Sequence, residues 1–233
     1  IHNLELKNRI VMPPMCMYSA KEDGILTPWH KTHYLTRAMG GTGLIIMEAT
    51  GVTPEGRISD NDLGLWDDSH VEPLKDLVKE VHETETKIGI QLAHAGRKSE
   101  SKVTPHLGPT DESYSDDYIA PKAMDEKDIE TITKAFKEAA RRCVEIGFDA
   151  IEIHAAHGYL IHEFLSPILY KKNFDERFAF LEGIVKAIEE VWPEDKLLIV
   201  RLSATDYRDD GISKEDFLET VKRLKELGVH LIN

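Results

Sequence analysis

Short apolar runs rich in β-branched residues alternate with amphipathic segments of helical spacing, and this alternation restricts the possible folds more than any other feature of the chain. The apolar runs are continuous, which is typical of parallel strands covered on both faces. Strands that alternate with helices in this way predict βαβ units and a parallel sheet. The apolar runs occupy residues 9–15, 43–49, 88–96, 148–154, 197–204 and 229–233.

Residues at the ends of the intervening segments predict where helices begin and end. Thr27 followed by Pro28 is typical of an N-cap and the first helical position. Gly147 is expected to end the helix before the fourth strand, since glycine readily adopts the left-handed backbone found at helix C-termini. Ser213, with Asp216 three residues later, is close to a capping box at the start of the last helix.

The two architectures that fit this pattern are an open doubly wound sheet and a closed (β/α)8 barrel. No G-x-G-x-x-G sequence follows the first strand, so the dinucleotide-binding form of the open sheet loses its main support. We therefore predict a single α/β domain over residues 1–233, a (β/α)8 TIM barrel with about six βα units visible. Strands seven and eight are expected to lie outside the printed sequence.

Composition and charge narrow the class of partner. The chain has 233 residues, a net charge of −13 and only two cysteines. This charge argues against nucleic acid or an anionic membrane as a partner, and two cysteines provide no disulfide framework. No apolar run reaches the length of a membrane span or a signal peptide. We expect a cytoplasmic protein that acts on small molecules.

Polar side chains follow the apolar strands where the active site of a barrel would lie, at the carboxyl ends of the strands. We expect them to converge on one mouth. In chain order they are Pro14, Met15, Cys16, Tyr18, Glu48, Ala49, Gln91, His94, His154, His157, Tyr159, Arg201 and Ser203.

The densest group of candidates follows the fourth strand. Two imidazoles, those of His154 and His157, could donate hydrogen bonds to an oxygen of the substrate, and Tyr159 could deliver a proton. Arg201, expected to be buried, would stabilise an anionic ligand or a reduced cofactor. Cys16 could be an ordinary buried thiol or could face the site. Its position close to a proline pair at the end of a strand favours the site.

Metal binding is the weaker alternative. His154-x-x-His157 together with His94 could bind zinc. No acidic cluster lies beside these histidines except Glu152, which strand alternation places in the body of the strand. Taken alone, His94 is expected to be structural.

Five motifs in this order resemble the old yellow enzyme family of flavin-dependent ene-reductases, in particular its bacterial thermophilic-like branch. Together they span almost the whole chain. They are 7-KNRIVMPPMCMYSA-20, 55-EGRISDNDLGLW-66, 90-IQLAHAGRKSE-100, 148-FDAIEIHAAHGYLIHEFLSP-167 and 200-VRLSATDY-207.

The resemblance implies FMN across the barrel mouth, NADPH or NADH as electron donor, and an enone or enal as substrate. His154 and His157 would bind the carbonyl oxygen of the substrate, Tyr159 would protonate the α-carbon, and Tyr18 would line the substrate pocket. The residues implied to contact FMN are Pro14, Met15, Cys16, Ala49, Gln91 and Arg201.

The resemblance also leaves alternatives open. Family members carry a longer segment after Pro167, so a loop is expected to be omitted near residues 168–174. Members of this branch usually form homodimers or homotetramers. The alternatives to an ene-reductase are a related flavin barrel that acts on dienoyl thioesters and a truncated, non-catalytic barrel.

Overall fold

The computed structural model describes residues 2–233, which form a curled parallel sheet with helices on its outer face. The strands are β1 Val11–Met12, β2 Leu44–Gly51, β3 Leu63–Gly64, β4 Lys87–Ala93, β5 Leu107–Gly108, β6 Lys122–Ala123, β7 Ala150–Ala155, β8 Leu197–Leu202 and β9 Leu231–Ile232. The helices are α1 Pro28–Met39, α2 Val71–His82, α3 Glu126–Ile146, α4 Leu160–Leu165, α5 Phe174–Glu189 and α6 Lys214–Glu226.

The strand order confirms the predicted fold class. The main sheet runs β1-β2-β4-β7-β8-β9, and all neighbouring pairs are parallel. Strands that follow one another around the sheet are joined through helices and never reverse their order, as in a TIM barrel and unlike a doubly wound sheet. The short β3 pairs with β2, while β5 and β6 form a separate two-stranded sheet.

Helix boundaries follow the capping residues identified in the sequence. Thr27 is the N-cap of α1, which begins at Pro28. Gly147 ends α3 with a φ of 96°, the left-handed conformation that glycine adopts with little strain. The backbone N–H of Asp216 donates to the Ser213 hydroxyl at 3.0 Å, which starts α6 as predicted.

The first and last strands are shorter than predicted, and one helix was not predicted. β1 stops at Met12 because Pro13 and Pro14 have no backbone N–H to donate to a neighbouring strand. The predicted strand at 229–233 is reduced to Leu231–Ile232. The additional helix is α4, whose single apolar turn and a half is too short for helical periodicity to be recognised.

The connection between α4 and α5 is a compact turn. The backbone N–H of Tyr170 donates to the carbonyl of Ser166 at 3.1 Å, and the Tyr170 ring packs edge-on against Phe164 at 5.1 Å between centroids. The longer segment expected near residues 168–174 stays a prediction.

Two apolar clusters lie on the two faces of the sheet, which explains why its strands are apolar throughout. The larger cluster fills the space between the sheet and the outer helices and includes Phe136, Phe148 and Phe178. The smaller one lies inside the curl of the sheet, where Leu4 and Leu6 from the N-terminal segment pack against it. The interior of the half-barrel is therefore a packed core at its amino end.

Candidate active site

The barrel interior changes from apolar to polar toward the carboxyl ends of the strands. Ala49 on β2 pairs with Gln91 on β4, and Gln91 pairs with Glu152 on β7. Two residues further along β7, His154 pairs with Arg201 on β8. The strand register thus brings residues distant in sequence to one mouth. The apolar layer below consists of Leu44, Ile46, Ala150, Leu197 and Ile199.

The segment after β1 is fastened to β2 by a buried carboxylate. The register of β2 shifts between Met47 and Ala49, so Glu48 occupies a bulge. One oxygen of Glu48 accepts the backbone N–H of Met17 at 3.2 Å, and the other accepts the Tyr34 hydroxyl at 2.8 Å. Because Glu48 and Tyr34 are fully buried, this network holds the loop that contains Cys16 over the mouth.

Cys16 is half-buried and protonated. Its sulfur accepts hydrogen bonds from the Ala49 backbone N–H and from the Tyr18 side chain. Burial raises the pKa of the thiol to about 12, and the negative charges of Asp62 and Glu48 add to this effect. Tyr18 has a φ of 50°, a left-handed backbone that is uncommon outside glycine. Half of the Met15 side chain is exposed, and Pro14 is half-buried beside it.

His154 is buried and neutral. Its Nδ1 accepts the backbone N–H of Ala156 at 3.3 Å, so the proton of the neutral ring is assigned to Nε2. Burial lowers the pKa of His154 to about 3, and the positive charges of His157 and Arg201 lower it further. An Nε2–H donor in this state keeps its hydrogen across the physiological pH range.

His157 is exposed at the mouth on a strained turn. Its φ is 63°, in the left-handed region, where strain commonly accompanies functional sites. Its backbone N–H donates to the Ser203 hydroxyl at 2.9 Å, and its carbonyl accepts from the Lys98 ammonium at 3.0 Å. The ring lies edge-on to that of His154, with centroids 5.1 Å apart. Partial desolvation and Arg201 lower the pKa of His157.

Tyr159 completes this aromatic cluster. Its ring lies 5.1 Å from that of His154 at an interplanar angle of 85°. The Lys98 ammonium sits 5.1 Å from the Tyr159 centroid, within cation–π range. Burial raises the pKa of Tyr159, and the neighbouring Tyr18 and Cys16 raise it further. Tyr159 is therefore a neutral phenol that retains its proton at physiological pH.

Arg201 is half-buried, so the expectation of full burial is wrong. It lies near the end of β8, where the side chain reaches the open mouth instead of the packed interior. Within residues 2–233 its guanidinium makes no hydrogen bond or ion pair. An unpaired cation at the mouth is suited to an anionic ligand.

His94 lies apart from the mouth, so the expectation that it converges there is wrong, and its packing agrees with the structural role expected of it alone. It is buried, its Nδ1 accepts the Gly96 backbone N–H at 3.1 Å, and a Cβ placed on Gly56 would clash with its ring. Among the described residues 2–233, no group of three His, Cys, Asp or Glu side chains is arranged to hold a metal ion.

The sequence did not identify Lys98 and Tyr34, and it placed Glu152 only in the strand body. Lys98 follows the third predicted strand, and nothing in the sequence around it shows that its ammonium contacts the carbonyl of His157, which follows the fourth predicted strand. Tyr34 resembles any apolar residue on the inner face of α1. The sequence signal that could have indicated these buried polar contacts is the presence of two carboxylates, Glu48 and Glu152, within otherwise apolar strands.

Known proteins resemble this chain both in sequence and in fold. An NADPH dehydrogenase from Geobacillus thermodenitrificans is 52% identical over 240 residues, covering 99% of this chain and 69% of that protein. One from Bacillus subtilis is 48% identical over 240 residues, covering 100% of this chain and 70% of the relative. The solved old yellow enzyme homologue from Zymomonas mobilis superimposes with a TM-score of 0.87 at 28% identity, covering 97% of this chain and 69% of that structure.

The fold and these relatives define a TIM-barrel flavin oxidoreductase that uses NAD(P)H. The NADH:flavin oxidoreductase / NADH oxidase family model matches residues 1–233. The chain belongs to that family and, within it, to the old yellow enzymes. The family's cofactor is FMN, so the sequence-based predictions of family, enzyme class and cofactor are confirmed.

The residues at the mouth fit FMN chemically. The exposed Met15 offers an apolar surface to a flat ring system, and the small Ala49 leaves room beside it. Gln91, the register partner of Ala49, would supply an amide for the polar edge of the ring. The Arg201 guanidinium would supply positive charge to a ring that becomes anionic on reduction.

Proposed function

We propose that the protein reduces the carbon–carbon double bond of α,β-unsaturated carbonyl compounds, with electrons from NADPH or NADH that pass through FMN. The observation that carries this proposal is the cluster of His154, His157 and Tyr159. Their rings lie about one ring diameter apart at the mouth, with two centroid distances of 5.1 Å. The cluster combines neutral N–H donors with a phenol that retains its proton, as polar alkene reduction requires.

The cofactor site in this proposal is the floor of the mouth. FMN, when bound, supplies the hydride-transfer chemistry. Arg201 and Gln91 would hold its polar edge, and the loop after β1 would contact the ring. The buried Glu48 supports that loop through the Met17 backbone. The residues proposed to contact FMN are Pro14, Met15, Cys16, Ala49, Gln91 and Arg201.

The histidines bind the carbonyl oxygen of the substrate. As the β-carbon accepts hydride, negative charge develops on this oxygen. The assigned Nε2–H of His154 donates to it, and an N–H of His157 provides a second donor. Ser203 and Lys98 hold the backbone of His157, so the turn that carries the second donor is in place before the charge develops.

Tyr159 delivers the proton to the α-carbon. The Lys98 ammonium, 5.1 Å from the centre of the Tyr159 ring, places a positive charge beside the phenol as the proton leaves. Tyr18, half-exposed across the mouth, lines the pocket for the rest of the substrate.

Location and assembly stay predictions. Within residues 2–233 no helix is both long and apolar enough to span a membrane. We propose a cytoplasmic enzyme that forms homodimers or homotetramers.

An isotope experiment with 2-cyclohexen-1-one tests the function. In D2O, with NADPH deuterated at the transferred position, the saturated ketone should carry deuterium at the β-carbon from NADPH and at the α-carbon from solvent. Cyclohexanone and cyclohexene serve as controls, since neither contains an activated alkene. Oxidation of NADPH by oxygen alone, with the enone recovered unchanged, would overturn the proposal.

A further inference from the structure

We propose that Glu152 is a positioning residue for the flavin site, which fixes the orientation of the Gln91 amide by a buried hydrogen bond. This inference rests on the proposed contact between Gln91 and FMN. It assigns a role to a carboxylate whose position inside the barrel has no explanation in packing.

Glu152 and Gln91 are neighbours in the sheet although they are 61 residues apart in sequence. They are register partners on β7 and β4, and both are buried, with 1% and 2% of their surfaces exposed. The Gln91 Nε2 donates to Glu152 Oε1 at 2.6 Å. A buried bond to a carboxylate at this distance strongly favours one of the two amide orientations of glutamine.

The second carboxylate oxygen is also occupied, so Glu152 itself is fixed. Its Oε2 accepts from the Asn233 Nδ2 at 2.8 Å. Asn233 in turn continues the sheet, because its backbone N–H donates to Val200 at 3.0 Å and its carbonyl accepts from Leu202 at 3.1 Å. Glu152 is thus held by hydrogen bonds from β4 on one side and from the segment after β9 on the other.

The consequence for Gln91 is a defined acceptor. One N–H of Nε2 is committed to Glu152, which fixes the place of Oε1, an acceptor that makes no hydrogen bond within residues 2–233. If the amide were reversed, its N–H2 group would take this place and two oxygens would face each other at Glu152. The carboxylate therefore selects an oxygen acceptor, suited to an N–H of the cofactor ring.

A charge effect is the competing explanation, because Arg201 lies within electrostatic reach of Glu152. Three variants distinguish the charge effect from positioning of Gln91 by a hydrogen bond. Glu152→Met removes both charge and acceptor, Glu152→Gln removes only the charge, and Asn233→Ala removes the other hydrogen bond while leaving the Gln91 bond in place.

The readout is FMN affinity of the full-length protein, measured by quenching of flavin fluorescence. Glu152→Met should raise the Kd for FMN about tenfold, whereas Glu152→Gln should stay within about threefold of wild type because it retains an acceptor for Gln91 Nε2. Combined with Gln91→Ala, the Glu152→Met change should have no further effect. Equal losses for Glu152→Met and Glu152→Gln, or additive losses in the double variant, would overturn positioning through Gln91.

A measurement on the wild-type protein covers the case in which Glu152→Met does not fold. The side-chain amide protons of Gln91, assigned by their loss in Gln91→Ala, should exchange with water much more slowly than those of surface glutamine and asparagine side chains. Exchange at the surface rate would overturn the proposal. Enone reduction by wild type is scored separately, so an ene-reductase with a freely rotating Gln91 refutes only the positioning role.

Discussion

The Ser203 hydroxyl accepts a hydrogen bond from the backbone N–H of His157 at 2.9 Å, which ties the turn after β7 to the end of β8. This contact helps hold His157 at its positive φ of 63°. Since a left-handed backbone costs free energy in a non-glycine residue, the turn depends on such tertiary contacts.

Ser203→Ala should loosen this turn and weaken binding of a phenolate ligand such as p-hydroxybenzaldehyde about fivefold, since one restraint is lost on the histidine that we propose binds the substrate. The long-wavelength absorbance change on ligand binding to the flavoprotein measures the affinity. Ser203→Thr keeps the hydroxyl and should bind as wild type does. Equal affinity in all three proteins would show that Ser203 does not position His157.

His154→Ala should weaken binding of the same ligand by about tenfold or more, because a neutral N–H donor to the oxygen is removed. His230→Ala is the matched control, since His230 lies before β9, at the amino end of the sheet, and stacks on His2 at 3.7 Å. An unchanged affinity in His154→Ala would exclude His154 from binding the oxygen.

Tyr159→Phe should slow alkene reduction about a hundredfold while leaving flavin reduction by NADPH within a few-fold of wild type, since only alkene reduction needs a proton donor. Stopped-flow absorbance separates the two half-reactions. Tyr170→Phe is the control, because the Tyr170 ring packs against Phe164 outside the cluster. Equal slowing of both half-reactions in Tyr159→Phe would remove Tyr159 as the proton donor.

Glu163→Gln should change how stability depends on pH. Glu163 is buried, one of its oxygens has no hydrogen-bond partner within the described residues, and burial raises its pKa from 4.5 to about 8. The folded protein therefore binds a proton that the unfolded chain releases between pH 4.5 and 8, so this group's contribution to stability falls as pH rises through that window.

The neutral glutamine removes this loss. The unfolding free energy of Glu163→Gln minus that of wild type should therefore increase from pH 5 to pH 8, by on the order of 2 kcal/mol. Urea denaturation at the two pH values measures it. A constant difference between the two proteins would show that Glu163 titrates normally in the folded state.

Local signals in the sequence determined the order of strands and helices, most helix ends and the family. Periodicity identifies which face of a segment is buried, and residues such as Pro28 and Gly147 act on their own backbone, so neither needs information from distant segments. The motifs at the strand ends also led to the prediction of the site residues, because parallel strands of a barrel present their carboxyl ends to one side.

Only the tertiary structure decided how these residues are held and in which charge state. The pairing of Gln91 with Glu152 depends on sheet register, and the turn at His157 depends on Ser203 and Lys98 from other parts of the chain. The neutral state of His154 results from desolvation, which arises only when distant segments pack around the ring. Spacing along the chain determines on which side of a strand or helix a side chain lies, whereas strand register and burial are properties of the assembled sheet.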